Sequence, residues 1–524
     1  MSKRNSFALI PQTAKKIEKR IKLVPPDGGW GWMVLLGTAL SNIFNQSMLS
    51  LFSLLYGDAL EAMGHNTQGA AIVLSTMLFV TNFGGPIAGA IVKLTSPRFV
   101  SVTGAVSCTA GLLLSGFSTN IWHLILTYGV LLGFGLGFIQ NASFVAINSY
   151  FKVRRSLAVG LAMVGTGVGQ TLMPHVVQYL LDEFGFRGAC LLLASLSLHG
   201  ICGTLLIQPV EWHMKKIEVE IEVDEKMHLL EENNKDPIKN KDYNANGNVI
   251  FKKTRRATEP SLISEIVAEK PNNNKALSQS YKELQVNTNG KSVDLLNGKY
   301  ETPKPKKTLL RKIYDLFDIS LLSSPRFLNV IIGTALTVVS IQNFSMLYPF
   351  FLQKKASMDK KQTALCMSAV ALADIVGRLT LPSLQDKYHI KARFMLIMTS
   401  IWLIVVRQIL AYQTGLYVLL TMSALYGFGR SMVIVARNLA IADECRMDQV
   451  PSAVGLGMLS MGIIVPPAGY FLGWIRDYTD SYIVCITAQN LLLVVFLAMW
   501  IPDMIFLYYK EKTKKKKYIE QAIA

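Results

Sequence analysis

A chain of 524 residues with 51% hydrophobic content, only 17% charged residues and a mean hydropathy of +0.33 has too little polar surface for a soluble globule. The formal charge of +18 does not point to nucleic acid, because the lysines and arginines sit in short loops and tails beside apolar segments, where anionic lipid attracts them. What remains is a polytopic membrane protein, expected to contact the lipid bilayer and no nucleic acid.

The N-terminus is polar and basic up to Pro25 and lacks a short apolar run before a small-residue cleavage site, so no signal peptide is expected. Runs of about 20 apolar residues then predict an all-α protein of twelve transmembrane helices, at 30–56, 70–93, 99–119, 121–148, 156–181, 188–208, 327–350, 362–384, 394–413, 416–442, 452–474 and 480–507. With the N-terminus inside, the inner short segments carry 22 Lys and Arg and the outer loops 6, which places both termini in the cytoplasm. The expected organisation is a cytoplasmic tail (1–29), a six-helix bundle (30–209), a flexible cytoplasmic loop (210–326), a second six-helix bundle (327–507) and a basic cytoplasmic tail (508–524). The loop is rich in Asn, Lys, Glu and Asp and cannot bury enough apolar surface to order itself. Its last part, Thr308 to Phe317, has apolar residues at helical spacing and reads as an interfacial helix.

Polar residues inside these spans mark a pathway, since lipid offers them no partner. In segment one, Asn42, Asn45, Gln46 and Ser50 fit a cavity wall. The run Gly133 to Gly137 follows no strand, so it reads as close helix packing and not as a phosphate loop. In segment five, His175 follows Pro174 near Gln170 and Gln178; it is a candidate solute contact, although a satisfied buried histidine is the commoner outcome. Segment eight carries Asp374 and Arg378 at i and i+4, on one helix face. There Arg378 can present a forked pair of donors to a carboxylate while Asp374 balances its charge. Arg407, close to the outer end of segment nine, is expected to snorkel. Segment ten adds Arg430 and Arg437, whose spacing of seven returns them to one face. Six cysteines (Cys108, Cys190, Cys202, Cys366, Cys445, Cys485) show no metal-like spacing and read as small core residues. No nucleophile, metal cluster or paired carboxylate stands out, so neither an enzyme, a cofactor nor a metal is expected.

The halves repeat. At one constant offset of 295 residues, Ala158, Val159, Gly160, Leu161 and Met163 match Ala453, Val454, Gly455, Leu456 and Met458. Both copies open an odd-numbered segment, so the repeat is parallel. Two six-helix bundles related about the membrane normal resemble the major facilitator arrangement, with the solute site at mid-bilayer between halves that rock. By the same offset Gly135 and Ala142 stand where the second half has Arg430 and Arg437, which concentrates positive charge on one bundle.

The stretch Pro25-Pro26-Asp27-Gly28-Gly29-Trp30-Gly31-Trp32 resembles the first signature of the monocarboxylate transporter family (solute carrier family 16). The stretch from Tyr150, Phe151 and Lys152 through Arg154, Arg155 and Gly160 to Gly165 resembles its second. Neither signature lies at bilayer depth, so both read mainly as structural. In the proton-coupled lactate and pyruvate carriers of that family a lysine late in segment one falls on Ser50 here, and an asparagine of the segment-five signature falls on Val159. The resemblance thus implies a divergent member: a secondary transporter in the plasma membrane for a carboxylate-bearing organic anion or zwitterion, such as an aromatic amino acid or a related compound. It also leaves room for a single-span ancillary glycoprotein as partner. The alternatives are a proton-coupled lactate-type symporter and a non-transporting scaffold or sensor.

Overall fold

In lipid an apolar run satisfies its own backbone only as a helix or a closed barrel, and the runs in this chain become helices. The computed structural model describes residues 16–64, 67–223 and 309–523. They fall in two units by contact: residues 16–22 with 218–223, and the described residues of 23–217 with 309–523. The second unit holds the helices.

Among the described residues ten helices are long and apolar enough to cross a membrane. The difference from twelve has two local causes. Segment one is interrupted: α1 (Trp30–Phe44) gives way to a tight 3-10 turn (Gln46–Ser50) before α2 (Phe52–Ala62), so neither piece spans alone. Segments five and six run together as α7 (Arg155–Leu205), 51 residues broken at Gly185, whose φ of 65° and ψ of −179° belong to a region open essentially to glycine. Between them come α3 (Thr67–Leu94), α4 (Pro97–Ser115), and a continuous span in which α5 (Ile121–Leu124) passes through a π-helical stretch (Ile125–Leu132) into α6 (Gly133–Tyr150). The second half comprises α8 (Leu309–Leu316), α9 (Pro325–Phe350), α10 (Lys360–Lys387), α11 (Ala392–Leu410), α12 (Leu416–Ala442), α13 (Val450–Thr479) and α14 (Tyr482–Ile523). The short α8 falls where the interfacial helix was expected.

Two predicted irregular stretches contain strands instead. β1 (Lys16–Val24) and β2 (Lys215–Val223) pair as a two-stranded sheet where a tail and the start of a flexible loop were expected. Their sequences, KIEKRIKLV and KKIEVEIEV, alternate apolar with charged residues, a period-2 signal that a search for long apolar runs passes over. The central part of the loop, 224–308, lies outside the described residues.

The repeat is expressed in packing. A Cβ on Gly160, near the start of α7, would lie 2.6 Å from the carbonyl oxygen of Arg378 on α10. A Cβ on the matching Gly455, near the start of α13, would lie 2.7 Å from the carbonyl oxygen of Gly85 on α3. The same glycine therefore brings an odd-numbered segment of one half onto an even-numbered segment of the other, five onto eight and eleven onto two. The glycine run of α6 is also packing: Cβ atoms on Gly135 and Gly137 would stand 2.5 Å from Gly104 O and 2.4 Å from Thr81 O.

Candidate functional site

A cavity of about 430 Å³ opens between the two halves, within the range of small-molecule sites. The first half contributes a neutral polar wall: Asn42 and Gln46 from segment one, Asn82 from α3, Gln140 from α6 and Gln170 from α7, with Phe79 and Phe144 between them. The second half contributes Arg378 from α10 and Arg430 and Arg437 from α12, with Gln342 and Ser345 from α9.

Arg378 is 2% exposed and Asp374 4%. The i, i+4 spacing on α10 lets Arg378 Nη2 reach Asp374 Oδ2 at 2.6 Å. Arg430 crosses from α12 to bring its Nε within 3.9 Å of the other carboxylate oxygen, Oδ1. Arg378 Nη1 also donates to Met163 O on α7, at 2.5 Å, so this arginine touches both halves. The Nε atoms of Arg378, Arg430 and Arg437 are buried without a hydrogen-bond partner. Among the described residues the Arg437 side chain reaches only the thioether of Met461, 3.8 Å from Nη1. The acids just beyond the end of α12 are held by other arginines: Arg155 holds Asp443 at 2.8 Å, while Arg326 and Arg393 hold Glu444 at 3.0 and 3.2 Å.

Several predicted contacts lie elsewhere. Asn45 is 1% exposed but turns from the cavity, its Oδ1 accepting from Ser197 Oγ at 2.7 Å across to the second part of α7. The side chain of Ser50 lies outside the described residues. His175 does not line the cavity, and it is exposed on the protein surface instead of buried; its neighbour Gln178 donates to Asp182 at 2.9 Å, whereas Gln170 does reach the cavity. Arg407 does not snorkel. It is 0% exposed, lies over the rings of Phe344 and Tyr426 at 4.8 and 5.4 Å, and donates to Ser340 Oγ at 2.7 Å. Asn82, Gln140 and Gln342 were missed because a lone neutral amide in an apolar run carries no sequence signal beyond its polarity.

The signature residues join into one structure at the end of the bundle where α1 and α7 start. Asp27 adopts a left-handed φ of 47°, and its Oδ1 accepts from the backbone N–H groups of Lys152 and Val153 at 2.6 and 2.7 Å. Its own N–H donates to Tyr150 O at 3.1 Å. Trp30 Nε1 donates to Leu206 O at 3.2 Å, and Trp32 packs edge-on to Phe151, 5.3 Å between centroids. Gly31 leaves room for that ring, since a Cβ there would touch Phe151 at 3.0 Å. Gly28 and Gly29 form the turn into α1, Gly29 at a φ of 55°. Arg154 precedes α7 as its first flanking residue.

This end is closed. The carboxylate of Asp386, at the end of α10, accepts from the N–H groups of Ser156 and Leu157 at 3.2 and 2.8 Å, satisfying the start of α7 in the other half. Asn141 Nδ2 bridges Gly85 O and Pro451 O, each at 3.2 Å, and Lys93 pairs with Asp318 just beyond α8. Burial raises the carboxyl pKa values of Asp443 and Glu444 at this end above the ordinary range, against the lowering effect of Arg155 on the first and Arg393 on the second.

The Major Facilitator Superfamily model matches residues 35–464 and 330–523. Among curated proteins, the chain is 36% identical over 183 residues to monocarboxylate transporter 13 of Rattus norvegicus, covering 35% of this chain and 43% of that protein. It is 36% identical over 184 residues to human monocarboxylate transporter 11, covering 35% and 39%. These alignments span about two fifths of the relatives' length. Among solved structures, the human organic anion transporter MFSD10 (TETRAN) superimposes with a TM-score of 0.57 at 15% identity, over 91% of this chain and 100% of that one. The fucose:proton symporter of E. coli (N162A) gives 0.54 at 13% identity, over 90% and 96%. Those likenesses speak to the fold alone. With a family model running through both halves, the chain is a multi-pass membrane protein that belongs to the Major Facilitator Superfamily and is similar, within it, to the monocarboxylate transporters.

Proposed function

We propose that the protein is a secondary transporter of a carboxylate-bearing organic solute, working by alternating access in the plasma membrane with both termini in the cytoplasm. The observation that carries this reading is the Asp374–Arg378 pair, whose arginine lines the cavity between the halves. A buried ion pair is weak support for stability, so its place beside a cavity calls for a role in binding. Arg378 offers planar, bidentate donors suited to a carboxylate. Because it also holds Met163 O in the other half, solute capture and closure share one side chain. Ser50 and Val159 replace the lysine and asparagine of the lactate carriers, and Val159 lines the cavity. A weak dependence on an imposed proton gradient follows.

The test is uptake of a panel of labelled carboxylates and amino acids by oocytes expressing the chain at two pH values, with Arg378→Lys beside the wild type. The expected result is uptake by the wild type and loss of at least about tenfold in the Lys variant at equal surface expression, since a point charge does not reproduce the fork. Wild-type rates in the Lys variant would remove Arg378 as the anchor.

A further inference from the structure

The cavity's own charges do not balance. Three guanidinium groups, those of Arg378, Arg430 and Arg437, line it, and Asp374 is the carboxylate that the first two share. The other acids near this end are engaged elsewhere. Asp386 caps α7, Asp443 holds Arg155, Glu444 holds Arg326 and Arg393, and Asp503 holds Arg393 at 2.7 Å. The facing wall contributes amides and hydroxyls, which carry no charge. Among the described residues the site therefore carries two positive charges in excess, with one buried Nε–H on each arginine lacking a hydrogen-bond partner. Burying uncompensated cations is costly, and the cost is relieved by a ligand that brings the missing negative charge.

Resting on the carrier reading above, we propose that the preferred solute is a dicarboxylate: one carboxylate takes the place beside Arg378 and the second lies against Arg430 and Arg437. The two arginines of α12 are seven residues apart, about 10 Å along the helix axis, so the positive strip is long enough for two separated carboxylates. A monocarboxylate would leave one cation uncompensated and a zwitterion two. The unbranched carbon chain between the carboxylates would lie along Phe144, Val433 and Ile434 of the lining.

The test compares acids of equal carbon number on the purified full-length chain in liposomes at pH 7.4, where both carboxylates are ionised: succinate against butyrate and glutarate against valerate, with phenylalanine as the zwitterion. The dicarboxylates are expected to show half-saturation at least about tenfold lower than their partners and a larger rise in melting temperature at equal concentration. Arg430→Gln and Arg437→Gln should each lose about tenfold more affinity for the dicarboxylate than for the monocarboxylate. If a variant fails to fold, the wild-type comparison alone decides. Equal or better uptake of the monocarboxylate or of phenylalanine overturns the dicarboxylate inference and leaves the carrier standing. Uptake of none of the three classes by monodisperse protein, with no shift in melting temperature, overturns the carrier reading as well.

Discussion

Asp374 and Arg378 are four residues apart on α10, and at 2.6 Å their contact is direct, yet Asp374 must also answer to Arg430 at 3.9 Å. Replacing Asp374 by Asn keeps the shape and removes the one negative charge, leaving buried guanidiniums uncompensated, a change that costs about 3–5 kcal/mol when a buried pair is broken. The melting temperature of Asp374→Asn without solute should fall, and the rise produced by saturating carboxylate should exceed that of the wild type, since the solute now supplies all the balancing charge. Equal ligand shifts in the two proteins would say that Asp374 is not the balancing group. Residues at i, i+4 and i+7 were legible because helical phase alone brings them to one face: Asp374 meets Arg378, and Arg430 and Arg437 line one cavity. Phase also explains the failures. Asn42 and Gln46 are one turn apart and both face the cavity, while Asn45 sits about 100° round from Gln46 where α1 ends. His175 is five residues past Gln170, about 140° round the helix, which points it to the surface. Arg407 was misread because its partners, the rings of Phe344 and Tyr426 and the hydroxyl of Ser340, come from two other helices.

Helices were readable as elements wherever an apolar run was long and had clear ends. Pro at the first turn and a Ser cap start α4 and α9; Asp359 with Gln362 forms a capping box on α10. Breaks within a run were not readable, because the 3-10 turn at Gln46–Ser50 contains no proline or glycine to announce it. The repeated glycines were readable as a pattern, and the contact each makes required the fold. Those contacts set the spacing between α7 and α10 and between α13 and α3. Gly160→Leu or Gly455→Leu should wedge the halves apart at the closed end while each half keeps its fold. Spin labels on the exposed Val153 and Lys387 should report a longer mean distance in both variants, with uptake lowered. An unchanged distance distribution would show that packing at these glycines does not set the equilibrium between closed and open.

At the scale of the whole molecule, two halves with matching packing enclose an unmatched cavity: neutral amides on one side, cations on the other. The ties that close the end where α7 starts, Asp386 on α7, Arg155 on Asp443 and Asn141 on Pro451, would all have to release for the cavity to open there. The surplus of two positive charges then acquires an electrical meaning. A membrane potential acts on charge that changes sides, with about 2.3 kcal/mol per elementary charge per 100 mV across the full field, and in the proposed cycle rocking would move the cavity through part of that field. With the proposed dianion aboard, the transported unit would be neutral and the potential would have little hold on it; the return without solute would carry the positive charge. Hyperpolarisation should therefore hold the solute-free protein with its cavity toward the cell interior. Voltage steps on oocytes should evoke transient, saturable charge movements in solute-free medium, abolished by saturating succinate and diminished in Arg437→Gln. Transients that persist unchanged in saturating succinate would place the moving charge outside the cavity.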